Sequence, residues 1–467
     1  MRYRALVGLV LLVLLAGCGA PMDATVPRGS PQQDVLGWEN GYWHNASLDI
    51  DNGDGLNGSE RDALVARAKA RVEYVRGLEF EGSVDISVIS RSNFSAGGGD
   101  TDEALRRFDN GKFEALFLVG TEEDSIKTQE DSLNRSVAGY YSPNRDAIVI
   151  VSDSATPTFD SERTLAHELV HALQDQHFDL GNRSDVRSRD AYNGRNGLVE
   201  GDPQAVQFTY LDRCGEAWSC IQSPADDAAE NGEATDAAGP HLGIYLMEFF
   251  PYSDGPGFVS HLRVEGDWTT VNDAYASPPG SATEVIHPDR YGSFEPREID
   301  LEDDLRDGWS RVEPPDRPAH ARIGQSGLVA MFGYTIYDDY NQSAVVSPQE
   351  LLNLGPTGVD RIDPIDYDLD ATRGWTGDRL HVYHRGDETA YRWRLKWNST
   401  AAAERFTATY RSLLQHWGGT GTGEDRFELS EESPFAGAYV IDVDGDTVTV
   451  AAAPSVEGLV DVAPEAR

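Results

Sequence analysis

The pentapeptide HELVH at residues 167–171 constrains this chain more than any other feature. It lies in a segment, residues 164–174, that contains neither glycine nor proline and is rich in Leu, Ala, Glu and Gln. Such a composition favours an α-helix, in which positions four apart share one face. His167 and His171 would then bind one zinc ion, and Glu168 would lie beside it as the general base that accepts a proton from water. The alternative is a buried helix that carries two histidines without a metal.

A catalytic zinc site needs a third protein ligand. Glu200 is the candidate, because it follows His171 by 29 residues, which leaves room for a helix end, a loop and a return helix. Its apolar neighbours in the run LVEGDPQAV, residues 198–206, indicate that this segment also faces a core. His177 is too close to His171 on the same helix to fold back to the ion. A helix cap or a solvated residue near a Gly-Asp-Pro turn is the alternative interpretation of Glu200.

The N-terminus has the features of an export signal. Arg2 and Arg4 precede an apolar run that ends in the tetrapeptide LAGC at residues 15–18. We therefore predict a signal peptide at residues 1–17. The LAGC sequence also looks like a lipobox, so Cys18 would carry the lipid that anchors the chain to the outer face of the cell membrane. An ordinary signal peptide with an incidental cysteine is the alternative.

The composition indicates a surface that works in concentrated salt. The formal net charge is −40, and only four of the 39 basic residues are lysine. High ionic strength shortens the Debye length and makes such self-repulsion tolerable, so a haloarchaeal cell surface is the expected location. The charge argues against a nucleic-acid partner. Seven Asn-X-Ser/Thr acceptor sequences fit an exported glycoprotein.

Two further cysteines, Cys214 and Cys220, lie close together in the sequence. An oxidising exterior would join them in a disulfide that closes a small loop. A metal-binding pair is the alternative, although the gap is wide for zinc and no histidine lies nearby.

The globular part is predicted to belong to the α+β class. We expect a lipidated tether at residues 18–35, a first domain at 36–293, a C-terminal α+β region at 294–467 and a mobile acidic insertion at 222–240. The expected elements are a helix capped by Ser59 and running to about 75, a strand at 84–89, a helix at 101–118, a hairpin of 137–141 with 147–151, strands at 380–384, 390–397, 438–443 and 447–451, and a helix at 400–417.

Several segments together resemble a known family. The segments are residues 167–178, 198–202, 281–288 with Tyr291, and 374–379. They are similar to exported prokaryotic proteins related to gluzincin-type zinc metallopeptidases, and most similar to haloarchaeal lipobox-bearing surface proteins.

The resemblance implies a fold and a site. It implies a zincin-like core with a mixed sheet and an active-site helix, in which zinc is bound by His167, His171 and Glu200 and Glu168 is the base. In many gluzincins an aspartate four residues after the ligand glutamate supports a histidine. Gln204 occupies that position here, so Asp175 or Asp202 would have to serve instead.

These features predict a cell-surface zinc metallopeptidase that hydrolyses peptide bonds through zinc-bound water. Its partners would be a peptide or protein substrate and, through Cys18, the membrane. The strand at 137–141 could present an edge to an extended substrate. His287 and Tyr291 are candidate donors to the tetrahedral intermediate, with a structural His-Pro turn as the alternative. A non-catalytic, zinc-containing surface lipoprotein with a structural or binding role is the alternative function, and a solute-binding lipoprotein is a third.

Overall fold

The structure is a computed structural model that describes most of the chain. It describes residues 31, 33–51, 55–95, 97, 101–152, 154, 162–182, 187–221, 241–341, 343–356, 358–423 and 425–464. The predicted signal peptide, Cys18, most of the tether and the insertion at 222–240 lie outside the described residues. Within the described part, no helix is long and apolar enough to span a bilayer.

The described chain is α+β, as predicted. Its helices are α1 Gly58–Arg76, α2 Glu103–Ala115, α3 Ser125–Ser136, α4 Glu162–Phe178, α5 Arg189–Arg213, α6 Leu242–Ala274, α7 Ala282–Ile286, α8 Gly324–Gly333, α9 Pro348–Leu351, α10 Thr400–His416 and α11 Val456–Val462. Its strands are β1 Trp38–Glu39, β2 Tyr42–Trp43, β3 Asp85–Ile89, β4 Gly139–Ser142, β5 Ala147–Val151, β6 Ser310–Arg311, β7 Leu354–Gly355, β8 Gly358–Val359, β9 Trp375–Arg385, β10 Glu388–Trp397, β11 Thr420–Gly423, β12 Arg426–Leu429, β13 Gly437–Asp444 and β14 Thr447–Ala453.

A small mixed sheet of three strands lies against helix α4. Its order is β3-β5-β4, with β3 parallel and β4 antiparallel to the central strand β5. The predicted hairpin is therefore correct, and its turn is a 3₁₀ helix at Pro143–Arg145 followed by Asp146 in the left-handed region. Strand β4 lies at an edge of this sheet, and no strand of the described residues pairs with its outer side.

A larger antiparallel sheet dominates the C-terminal region. Its seven strands follow the order β11-β12-β13-β14-β10-β9-β6. The long hairpin of β9 and β10 was predicted, but β9 begins at Trp375, five residues before the expected start. The predicted helix at 400–417 is α10, and it ends one residue earlier.

The start of helix α1 differs from the prediction. Asn57 is the N-cap, and its side chain accepts hydrogen bonds from the backbone N–H groups of Ser59 and Glu60. The Glu60 carboxylate accepts from the Asn57 N–H in return, which completes a capping box. The predicted cap at Ser59 is wrong because Asn57 and Glu60 already satisfy the first-turn donors.

One hydrophobic core crosses the predicted boundary at residue 293. Its largest cluster includes Phe113, Leu198 and Phe258 from the helices and Trp393 from strand β10. A second, smaller cluster packs α4 against α1 and the mixed sheet through side chains such as Leu169. The HELVH helix therefore lies between the mixed sheet and the main helical core.

Candidate metal centre

Helices α4 and α5 bring His167, His171 and Glu200 together. The Nε2 atoms of His167 and His171 lie 3.3 and 3.2 Å from Oε2 of Glu200. One ligand atom from each residue lies within 4.8 Å of the other two, the one cluster of this kind in the described part of the chain. Donor atoms about 2.1 Å from a tetrahedral zinc ion are about 3.4 Å apart, so this spacing fits such an ion. The three side chains are 10 to 16% exposed, which leaves the cluster reachable from solvent.

Glu168 faces the edge of the mixed sheet. Its Oε2 atom accepts a 2.7 Å hydrogen bond from the backbone N–H of Tyr141 in strand β4. The Tyr141 hydroxyl donates to Asp175 at 3.0 Å, so the same residue also ties β4 to a later turn of α4. A candidate base is thus fixed beside the two histidines and at the open edge of a strand.

Gln174 holds the side of His171 that faces away from the cluster. Its Oε1 atom lies 2.9 Å from Nδ1 of His171, so Nδ1–H donates to it and Nε2 remains available as a ligand. The amide nitrogen of Gln174 donates to the Val199 carbonyl at 2.9 Å and to the Tyr275 hydroxyl at 2.6 Å. That hydroxyl donates to Asp202 at 2.9 Å. Of the two carboxylates expected to support a histidine, Asp202 therefore reaches His171 through Gln174.

Pro203 accounts for the carbonyl that Gln174 uses. Proline has no N–H, so the Val199 carbonyl, four residues earlier in α5, lacks its usual helical donor. The side chain of Gln174 replaces that donor. The alternative interpretation of Glu200 placed it near a Gly-Asp-Pro turn, but α5 continues through the proline. The Nε atom of Arg76 fixes the neighbouring Asp202 by donating to its two carboxylate oxygens at 2.8 and 3.0 Å.

A close crossing of α5 and α6 brings Tyr252 to the cluster. A Cβ atom at Gly201 would lie 2.4 Å from the backbone of Gly255, so the two helices touch backbone to backbone. Tyr252 lies three residues before Gly255, and its ring stacks on that of His167 with centroids 6.0 Å apart. Burial, together with the charge of Glu200 and a hydrogen bond to it, raises the pKa of Tyr252 well above its ordinary value. This hydroxyl therefore keeps its proton at neutral pH and above.

The cluster favours positive charge at its centre. Burial lowers the pKa of His171, but the carboxylates of Glu200 and Glu168 outweigh that effect and raise it to about 9. Burial raises the pKa of Glu200, yet the imidazoles of His171 and His167 hold it well below its usual range. A proton on His171 supplies the positive charge when no other cation is present. A divalent ion would take the place of that proton.

His287 and Tyr291 make contacts elsewhere. The Nε2 atom of His287 lies 3.4 Å from Oδ1 of Asp368, and the Tyr291 hydroxyl donates to the Ser277 carbonyl at 2.6 Å. In the described part of the chain, neither residue has a hydrogen bond, ion pair or ring contact with the three clustered ligands. These contacts match the structural interpretation of the His-Pro turn.

Nothing in the sequence marks Tyr252, because its position depends on how α6 crosses α5.

A disulfide closes the loop that follows α5. Cys214 and Cys220 form this bond. The Ser219 carbonyl inside the loop accepts a hydrogen bond from Arg71 at 3.0 Å. Arg71 also pairs with the carboxylate of Glu162 at 2.8 Å, and Glu162 is the first residue of α4. The loop is therefore tied to the start of the HELVH helix.

Comparisons with known proteins reach only the C-terminal region. Residues 310–463 match the model of a family described as a domain of unknown function, DUF8575. This match runs from strand β6 to the end of α11 and does not include the metal centre. No curated protein and no solved structure matches the chain.

Proposed function

We propose that this protein is a zinc-dependent peptidase with a zincin-like core formed by the mixed sheet and helices α4 and α5. The main support for this proposal is that the ligand atoms of His167, His171 and Glu200 lie together, and that Glu168 lies on the same helix as the two histidines. Two histidines and a carboxylate leave a tetrahedral ion one open position, which is the ligand number of catalytic rather than structural zinc sites. A structural site would have no need of Glu168.

Each nearby side chain has a task in peptide hydrolysis. Zinc, when bound, lowers the pKa of water and polarises the scissile carbonyl. Glu168 takes the proton of the attacking water and passes it to the leaving amine, while the Tyr141 N–H keeps its carboxylate in place. The protonated hydroxyl of Tyr252 donates a hydrogen bond to the oxyanion of the substrate, the role for which His287 and Tyr291 were candidates from the sequence.

The edge of strand β4 is the proposed binding site for the substrate backbone. This strand lies beside Glu168, and among the residues that the structure describes no strand pairs with its outer side. An extended peptide could add to the sheet there, with its main chain hydrogen-bonded to the β4 backbone. The scissile bond would then lie next to the base.

We further propose that the protein acts outside the cell, anchored through Cys18. The N-terminal LAGC sequence and the disulfide between Cys214 and Cys220 support an exported chain. The acidic composition supports a surface exposed to concentrated salt.

The test compares the soluble chain that starts after Cys18 with its Glu168→Gln variant, in concentrated salt. Zinc content is measured together with cleavage of casein and of a peptide library. We expect one zinc ion per chain in both proteins and cleavage at least about 100-fold slower in the variant, because general-base catalysis contributes about 10²–10⁴-fold. Zinc in both without cleavage in either would favour the non-catalytic surface lipoprotein, and absence of zinc would contradict the site itself.

A further inference from the structure

A cavity of about 380 Å³ lies at the N-terminal end of helix α5. Four cationic side chains line it, from Lys112, Arg187, Arg189 and Arg317, against two anionic side chains, from Glu248 and Asp316. The whole chain has 79 acidic and 39 basic residues, so the ratio of charges is reversed at this place. Concentrating cations in one concave site of an acidic protein is the electrostatic arrangement that attracts an anion.

Two of the four cations have ion-pair partners among the described residues, and the other two have none there. Lys112 pairs with Asp109, and Arg189 pairs with Glu248 at 2.9 Å. Within the part of the chain that the structure describes, no ion pair involves the remaining two, Arg187 and Arg317. Arg187 donates to the backbone carbonyl of Asp316 at 3.0 Å, and Arg187 and Arg317 line the same cavity.

The cavity and the metal centre lie along the same helices. Tyr192 and Arg189 precede Glu200 by eight and eleven residues on α5, which is about 12 and 16 Å along the helix. Arg189 lies near the same face as Glu200, and Tyr192 lies roughly 80° around the helix from it. Burial and then the charge of Glu248 raise the pKa of Tyr192, and Glu200 adds to the effect. On α6, Glu248 lies one turn before Tyr252, so both helices lead from the cavity to the clustered ligands.

We propose that this cavity binds a carboxylate of the peptide substrate. The proposal rests on the peptidase function above and adds a specificity determinant to it. An extended peptide advances about 3.3 Å per residue, so the separation of about 12 to 16 Å between Glu200 and the cavity residues Tyr192 and Arg189 corresponds to about four to five residues of substrate. Arg187 and Arg317 would bind that carboxylate by charge-assisted hydrogen bonds. Its source is either the free C-terminus of the substrate or an acidic side chain.

The test is equilibrium binding to the full chain carrying Glu168→Gln, which keeps the cluster but removes the base. The probes are three fluorescein-labelled peptides of alternating Ala and Gly, eight residues long: the free acid, the amide, and an amide ending in Asp. Fluorescence anisotropy should show at least a 10-fold tighter Kd for the carboxylate-bearing peptide than for the plain amide. A preference for the free acid alone identifies the C-terminus as the ligand, and a preference for the Asp amide alone identifies an acidic side chain. Equal preference for both shows that the cavity accepts either carboxylate.

The double variant Arg187→Gln with Arg317→Gln should abolish this preference. Arg361→Gln is the matched control, because Arg361 is also an exposed arginine but lies far from the cavity. It pairs with Asp212, which follows Arg189 by 23 residues and is about 35 Å from it along α5. The single Arg317→Gln variant, at an exposed side chain, repeats the test if the double variant does not fold.

The result that overturns the inference is equal binding of all three peptides, no binding of any, or a preference that survives the double variant. None of these outcomes requires turnover. A chain that binds the acid selectively but cleaves nothing when Glu168 is intact would instead contradict the peptidase function alone.

Discussion

Two of the buried polar clusters in the described chain differ in how their charges are satisfied: one lies in the C-terminal sheet and the other between α4 and α5. In the first, the carboxylate of Asp378 accepts from the backbone N–H groups of Ile323 and Gly324 and from the indole N–H groups of Trp375 and Trp393. Four donors surround one acceptor and saturate it. Such a carboxylate joins β9, β10 and α8 and leaves nothing for a ligand.

In the second cluster the polar atoms point at one another. His167, His171 and Glu200 direct their ligand atoms to one place, where a cation completes the set. Their outer sides are held by other groups, as His171 is by Gln174. Burial of a charged group therefore does not by itself identify a functional site. A carboxylate saturated by fixed N–H donors stabilises the fold, whereas ligand atoms that converge on one place are arranged to bind an ion.

The same substitution, carboxylate to amide, should have very different effects on the stability of the two clusters. Asp378→Asn should lower the free energy of unfolding by about 3 kcal/mol or more. The new amide N–H₂ group would face buried N–H donors and leave them without an acceptor, and each unpaired donor costs about 1 to 3 kcal/mol. Glu168→Gln retains an acceptor for the Tyr141 N–H and should change stability by less than about 1 kcal/mol. Urea unfolding measures both, and equal losses would remove the distinction.

A smaller effect should appear on acidification of the C-terminal region. His381 is fully buried in the sheet, and its burial together with the charge of Arg311 lowers its pKa to about 4. In the unfolded chain the pKa of a histidine is about 6.5, so the folded state prefers the neutral ring. The stabilisation that this preference gives is complete above pH 6.5 and is lost as the pH falls towards 4. The loss should reach about 3 kcal/mol at most.

The check on this pH dependence is a series of urea unfolding curves between pH 7 and 4. The His381→Gln variant removes the titrating ring and should flatten the slope over that range. A variant as sensitive to acid as the parent would show that other groups carry the effect.

The smallest expected effect concerns the outer support of the metal centre. Gln174→Ala removes the acceptor for Nδ1 of His171, and loss of such support typically costs 10 to 100-fold in metal affinity. Competition with a chelator measures the zinc affinity. Gln176→Ala is the control, because Gln176 lies on the same helix but accepts from the Glu81 N–H, away from the cluster. Equal affinities in the two variants would mean that Gln174 only supports the fold.

The sequence predicted the parts of the site that depend on local spacing. The separation of four between His167 and His171 on a helix, and an apolar return segment around Glu200, were enough to locate three groups that the structure brings together. The hairpin of β4 and β5 was predicted for the same reason, because alternation and a turn sequence are short-range signals.

The parts that depend on tertiary approach were not predicted. Tyr252 reaches the cluster only because Gly201 and Gly255 let two helices touch, and neither glycine belongs to a spacing rule that links residues 200 and 252. The segment at 374–379 entered the family resemblance without a role. The structure gives it one, since Trp375 and Asp378 bond to each other in the saturated cluster.

The glycine contact between α5 and α6 is the point about which α6 would turn if it tilted. With no side chain between the backbones, a tilt of α6 turns about Gly255, three residues or about 4.5 Å from Tyr252 and seven residues or about 10 Å from Glu248. Any such tilt moves the cavity end of the helix about twice as far as the tyrosine. A tilt of helix α6 would therefore couple a larger displacement at the cationic cavity to a smaller displacement at the clustered ligands.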